Sequence, residues 1–130
     1  MKKLNKQQLE KLCKKWQDRL GLSQWDISIL VEKEDFFGRS TNTAQTHFRK
    51  QSDTATVYIM QWEDRIQSDK YYTDMEHDLV HELMHIRFAD IELALNEELN
   101  RNETLNNARE CAIERTAKAL ILTERETKNG

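Results

Sequence analysis

Leu9, Leu12, Cys13, Trp16 and Leu20 share one face of a 3.6-residue period, so the chain opens with a predicted amphipathic helix over about residues 5–20. Asn5-x-x-Gln8 supplies a cap at its start, and Gly21 a stop, because glycine tolerates the left-handed position that follows a helix. The period then shortens to two. Trp25, Ile27, Ile29 and Val31 alternate with mostly polar neighbours, the pattern of a strand with one buried face. Residues 32–42 have no clear period and predict a loop. Two more alternating runs follow, Ala44, Thr46 and Phe48 against Gln45, His47 and Arg49, then Ala55, Val57 and Ile59 against Thr54, Thr56 and Tyr58. The polar Lys50-Gln51-Ser52-Asp53 connection makes them a β-hairpin.

Residues 61–70 carry no assignable pattern. Thr73-Asp74-Met75-Glu76 then has the form of a capping box, and Met75, Leu79, Leu83 and Ile86 form an apolar stripe behind it. Val80, Met84 and Phe88 widen that stripe, while His77, His81 and His85 fall on the opposite side. A helix from residue 73 or 74 to 88 or 89, apolar over most of its circumference, is expected to be buried and central. Residues 90–104 are acidic and asparagine-rich, with Leu93, Leu95 and Leu99 predicting a short helix or ordered loop. A final helix is expected over about 104–125, with Ile113, Ala117, Leu120 and Ile121 on its inner face and a frayed Lys128-Asn129-Gly130 tail. The sum is a single α+β domain over residues 1–130: an N-terminal helix, a small, mainly antiparallel sheet of about three strands, a central helix and a C-terminal helix.

Composition narrows the class. A chain of 130 residues can bury one core, and a 33% charged fraction with net charge −3 argues against nucleic acid or an anionic membrane as partner. Cys13 and Cys111 lack Cys-x-x-Cys spacing and read as small core residues, giving neither a disulfide framework nor a cysteine metal site. The basic Met1-Lys2-Lys3 start is followed by Asn5, Lys6, Gln7, Gln8 and Glu10, which interrupt a leader, and no run reaches membrane-spanning length. A cytoplasmic location is the expectation; the sequence does not specify an oligomeric state.

The chemistry concentrates at His81-Glu82-Leu83-Met84-His85. On a helix, two histidines four residues apart point off one face and can reach one metal ion, while the glutamate after the first stands beside its water as a general base. A catalytic zinc ion takes three protein ligands and keeps a fourth position for water. No histidine extends the motif, since Phe88 and Ile91 stand three and six residues past His85, so the third donor should be a carboxylate. Glu110 and Glu114 both flank the inner face of the last helix; Glu110 projects closer to its centre, Glu114 is the alternative and Asp90 the outside candidate. His47 reads as an exposed strand residue, and His77 as a poor addition to a tetrahedral ion. Tyr71, Tyr72, His47 and Arg109 are unranked candidates for stabilising a developing oxyanion.

His81-Glu82-x-x-His85 with a carboxylate on a downstream helix resembles the gluzincin branch of the zincin metallopeptidases, which includes thermolysin-like enzymes. In that branch the ligand glutamate is followed four positions later by a polar residue that orients a zinc histidine, with small residues beyond. Glu110-Cys111-Ala112-Ile113-Glu114, then Ala117, is similar to this, whereas Glu114 as ligand would put Lys118 in the supporting place. The departure is a glutamate where the family has aspartate or asparagine. The order of elements resembles small metallopeptidases of phage and bacterial genomes. The resemblance implies a zincin-like fold, one Zn2+ ion held by His81, His85 and Glu110, and hydrolysis of peptide bonds with Glu82 as base. A protein or peptide substrate would be met by the hairpin's edge strand through strand addition. Two other readings stand beside it: a metal-binding regulatory or interaction module without general proteolytic activity, and a metal-free domain in which the motif is accidental.

Overall fold

Asn5 starts the first helix, α1 (Lys6–Arg19), as the alternation of polar ends requires: its side chain accepts from Gln8 N at 2.8 Å and the Gln8 side chain accepts from Asn5 N at 2.9 Å. Gly21, at φ 71°, turns the chain away after Leu20. The computed structural model describes residues 3–38, 42–65 and 74–129. Strand β1 (Asp26–Glu32) follows, then a 3-10 turn at Glu34–Phe37 within the stretch expected to be loop. Phe37 is buried there against Met60. Strands β2 (Ala44–Arg49) and β3 (Thr54–Met60) form the expected hairpin, closed by a 3-10 turn at Lys50–Ser52 and by Asp53 at φ 51°.

The three strands lie in the order β1-β3-β2. The pairing of β2 with β3 is antiparallel, but β1 pairs with β3 in parallel, so the sheet is mixed where a mainly antiparallel one was expected. The register sets Ile27, Ile29 and Val31 beside Ala55, Val57 and Ile59, aligning the apolar faces of both strands. Alternation in β1 fixes which face is buried; it carries no information about direction.

After α2 (Trp62–Arg65), the chain reaches α3 (Met75–Arg87), which lies with α1 on the apolar face of the sheet. Its N-cap is Asp74, whose side chain accepts from His77 N at 2.7 Å. Thr73 of the expected capping box lies outside the described residues; Glu76 accepts from Trp16 Nε1 at 2.9 Å. Met75, Leu79, Val80, Leu83 and Ile86 are fully or almost fully buried, as the stripe requires, and each such side chain contributes roughly 1.5–3 kcal/mol. The acidic stretch forms two short helices, α4 (Ala89–Ala94) and α5 (Asn96–Arg101).

The last helix, α6 (Glu103–Asn129), packs Ile113, Ala117 and Ile121 against α3. It runs beyond the expected end because no breaker precedes Gly130, which lies outside the described residues, and Lys128 pairs with Glu124 one turn back at 3.5 Å. Cys13 is buried, and burial pushes its thiol up to about 12. Cys111, expected in the core, is exposed, because it falls on the side of α6 away from Ile113 and Ala117. No described helix is long and apolar enough to cross a membrane.

Candidate metal centre

Because α3 is wedged between sheet and α6, its histidine face looks at another element. His81 and His85 stand one turn apart with ring centroids at 5.2 Å, and α6 presents Glu110 to both: Nε2 of His81 lies 3.3 Å from Glu110 Oε2, and Nε2 of His85 lies 3.4 Å from Glu110 Oε1. One donor atom from each of His81, His85 and Glu110 falls within 4.8 Å of the others, so the trio could hold a metal ion.

Two observations test the fit. Donor atoms around a tetrahedral ion bound at roughly 2.0–2.1 Å sit about 3.3 Å apart. The Nε2 separations, one to each oxygen of Glu110, lie close to that spacing, whereas His85 Nδ1 donates to Glu92 Oε1 at a hydrogen-bonding 2.7 Å. The second nitrogens also have carboxylate partners: Nδ1 of His85 has Glu92, and Nδ1 of His81 has Glu114 Oε1 at 3.2 Å. Each imidazole is thereby turned with Nε2 toward Glu110, the arrangement of a ligating histidine oriented by an outer carboxylate.

Of the two glutamates considered as third donor, Glu110 therefore joins the donor group and Glu114 stands behind His81. Glu114 Oε1 also lies 2.9 Å from Nε2 of buried His77, without hydrogen-bond alignment. Asp90 does not contribute: its side chain is 74% exposed and pairs with Lys50 at 2.5 Å.

Glu82 is buried beside the pair of imidazoles, and Thr46 Oγ1 on β2 donates to its Oε1 at 2.7 Å. Burial pushes the Glu82 carboxyl above its ordinary pKa, outweighing the hydrogen bond from Thr46 and the positive imidazoles. At His85, burial opposes protonation, yet Glu110 and Glu92 together hold the ring up at about 10. At His81, burial likewise opposes, and Glu110, Glu82 and Glu114 raise it above the usual value. Hydrogen bonds from His81 and His85 hold Glu110 well below the ordinary carboxylate range. Protons and a divalent cation thus compete for the same two nitrogens.

The site opens into a cleft of about 570 Å³. Ala44 to Phe48 of β2 form one wall, and Asn106 and Arg109 of α6 stand opposite. His47 is exposed at the rim with its ring centroid 5.2 Å from that of Tyr58. Arg109 lies in the cleft; Tyr71 and Tyr72 fall outside the described residues. Sequence reasoning missed Thr46 and Glu92. The signal for Thr46 was a polar residue between Ala44 and Phe48 on the inward face of the strand. None existed for Glu92, because the helix is interrupted at Phe88 and α4 swings the residue back onto His85. Comparison of the chain with protein-family models, curated proteins and solved structures finds no match.

Proposed function

We propose that this protein is a zinc-dependent metallopeptidase acting on protein or peptide substrates in the cytoplasm. The observation that carries the reading is the convergence of two imidazole Nε2 atoms and Glu110 beside a buried Glu82, at the floor of a cleft bordered by a strand. His81, His85 and Glu110 would hold the ion, and a nitrogen–nitrogen–carboxylate set favours zinc. When bound, such an ion supplies Lewis acidity that lowers the pKa of water and polarises a carbonyl.

Thr46 fixes one oxygen of Glu82, leaving the other to take a proton from the attacking water and pass it to the leaving amine. The buried position of Glu82 beside His81 and His85 keeps that second oxygen close to where both halves of the transfer take place. The side of β2 not paired with β3 borders the cleft, where an extended peptide can add as a further strand.

Metal analysis of untagged protein is expected to find one ion per chain, lost in His81→Ala. Glu82→Gln should keep the ion and remove turnover of an unfolded protein substrate. Wild-type protein without a stoichiometric ion, or full turnover by Glu82→Gln, would overturn the reading. An ion-loaded wild type that cleaves no peptide would point instead to a regulatory or interaction module.

A further inference from the structure

We infer that Glu92 is a positioning residue for the metal centre, setting how tightly the ion is held by fixing the His85 ring; this rests on the metal-centre reading above. Glu92 comes from α4, a helix that contributes no donor, and reaches the site only because the chain turns back at Phe88.

Three elements meet at one atom. Glu92 Oε1 accepts from His85 Nδ1 of α3 at 2.7 Å and lies 3.3 Å from Arg109 Nη1 of α6. Arg109 is itself fixed: Nη2 donates to Asn106 Oδ1 at 2.7 Å and to Glu110 Oε1 at 3.2 Å. One guanidinium therefore steadies both the carboxylate behind His85 and the carboxylate among the donors.

The bond to Glu92 does two things for His85. It puts the proton on Nδ1, leaving the Nε2 lone pair for a metal, and it stops rotation of the ring about its own axis. His85 needs such help more than His81 does. It lies in the final turn of α3, three residues before the C-cap Phe88, whereas His81 sits mid-helix. The Glu92 side chain is only 11% exposed, so water competes weakly for its bond.

A competing explanation is that Glu92 merely fastens α4 to the body of the protein. Lys50 and Asp90 provide a second contact of the same helix, 2.5 Å long and exposed to solvent, at residues outside the cleft lining that contains His85. Lys50→Ala thus loosens α4 without touching the imidazole, and separates the two explanations.

The test uses the full chain at fixed neutral pH, with zinc affinity read by competition against a chromophoric chelator and ligand geometry read from the visible spectrum of the cobalt-loaded protein. Glu92→Ala should weaken zinc binding by about 10- to 100-fold and alter the cobalt spectrum. Glu92→Gln, which keeps an oxygen acceptor for Nδ1, should lose roughly threefold to tenfold. Lys50→Ala should change neither readout. Unchanged affinity and spectrum in Glu92→Ala, with wild type holding one ion, would overturn the inference while leaving the metal centre intact. Equal weakening by Lys50→Ala would also overturn it, by assigning the effect to α4 attachment. If Glu92→Ala does not fold, Glu92→Gln decides, and a loss below about twofold counts against the inference. Wild type that binds no ion would remove the metal centre itself, a separate failure.

Discussion

Arg65 keeps only 1% of its surface in contact with solvent, an unusual place for a guanidinium. Its Nε donates to Met60 O at 2.8 Å, Nη2 to Thr43 O at 3.0 Å, and Nη1 lies 2.7 Å from Asp78 Oδ2, with the Thr43 hydroxyl also donating to Asp78. The charge is thus matched by a carboxylate of α3 and by carbonyls at the ends of β2 and β3. Arg65→Met would leave Asp78 buried without that cation, and we expect a loss of about 3–5 kcal/mol in urea unfolding, with His81, His85 and Glu110 untouched. Single residues were legible where one element carries the whole signal. His81, Glu82 and His85 share a helix, and Glu110 could be preferred to Glu114 by projection alone. Arg65, Thr46 and Glu92 act across elements, and no spacing within the sequence encodes a contact made by folding.

Helix ends and faces were legible because they are local. Asn5 with Gln8, Gly21, and the Met75 to Ile86 stripe each depend on neighbours within two turns of helix. The parallel alliance of β1 and β3 was not, since alternation specifies a face and leaves the partner open. How α1 meets α6 was equally hidden. Lys15 Nζ lies 2.6 Å from Glu124 Oε1 and Arg19 pairs with Glu124 Oε2, so two cations of the first helix grip one carboxylate of the last. They lower the Glu124 pKa from 4.5 to about 2, chiefly through these hydrogen bonds. A depressed carboxylate stabilises the fold above its unfolded value and stops doing so as pH falls through its folded value. Wild type should therefore melt higher than Glu124→Gln at neutral pH, and the gap in Tm should close between about pH 4.5 and 2. A gap that widens on acidification would refute the grip.

The molecule as a whole is organised so that its core and its chemistry share a helix but not the same face. Leu9, Trp16, Ile29, Val57, Leu79, Leu83 and Ile113 belong to a continuous buried cluster spanning α1, the sheet, α3 and α6. The donor trio lies on the cleft side of α3. Folding should not depend on the metal: protein treated with a chelator is expected to keep its helical circular dichroism and a cooperative melt. Zinc at about a hundredfold excess over its dissociation constant should add about 2.7 kcal/mol, raising Tm by several degrees. Collapse to an unfolded chain on chelation would show that the apolar cluster is insufficient by itself.

The strand order has a further consequence during synthesis. Among the described residues both β1 and β2 pair only with β3, the last of the three strands to be made. While Thr54–Met60 is still inside the ribosome, the two emerged strands have no native neighbour in the sheet, and their apolar sides are open to chaperones or to other nascent chains. The delivery of one seven-residue segment gives both their strand partner at once, and α3, made after it, then covers the apolar face. A pause that leaves β1 and β2 outside the ribosome with Thr54–Met60 still in its exit tunnel would therefore be more damaging to yield than a pause of equal length anywhere in the final helix.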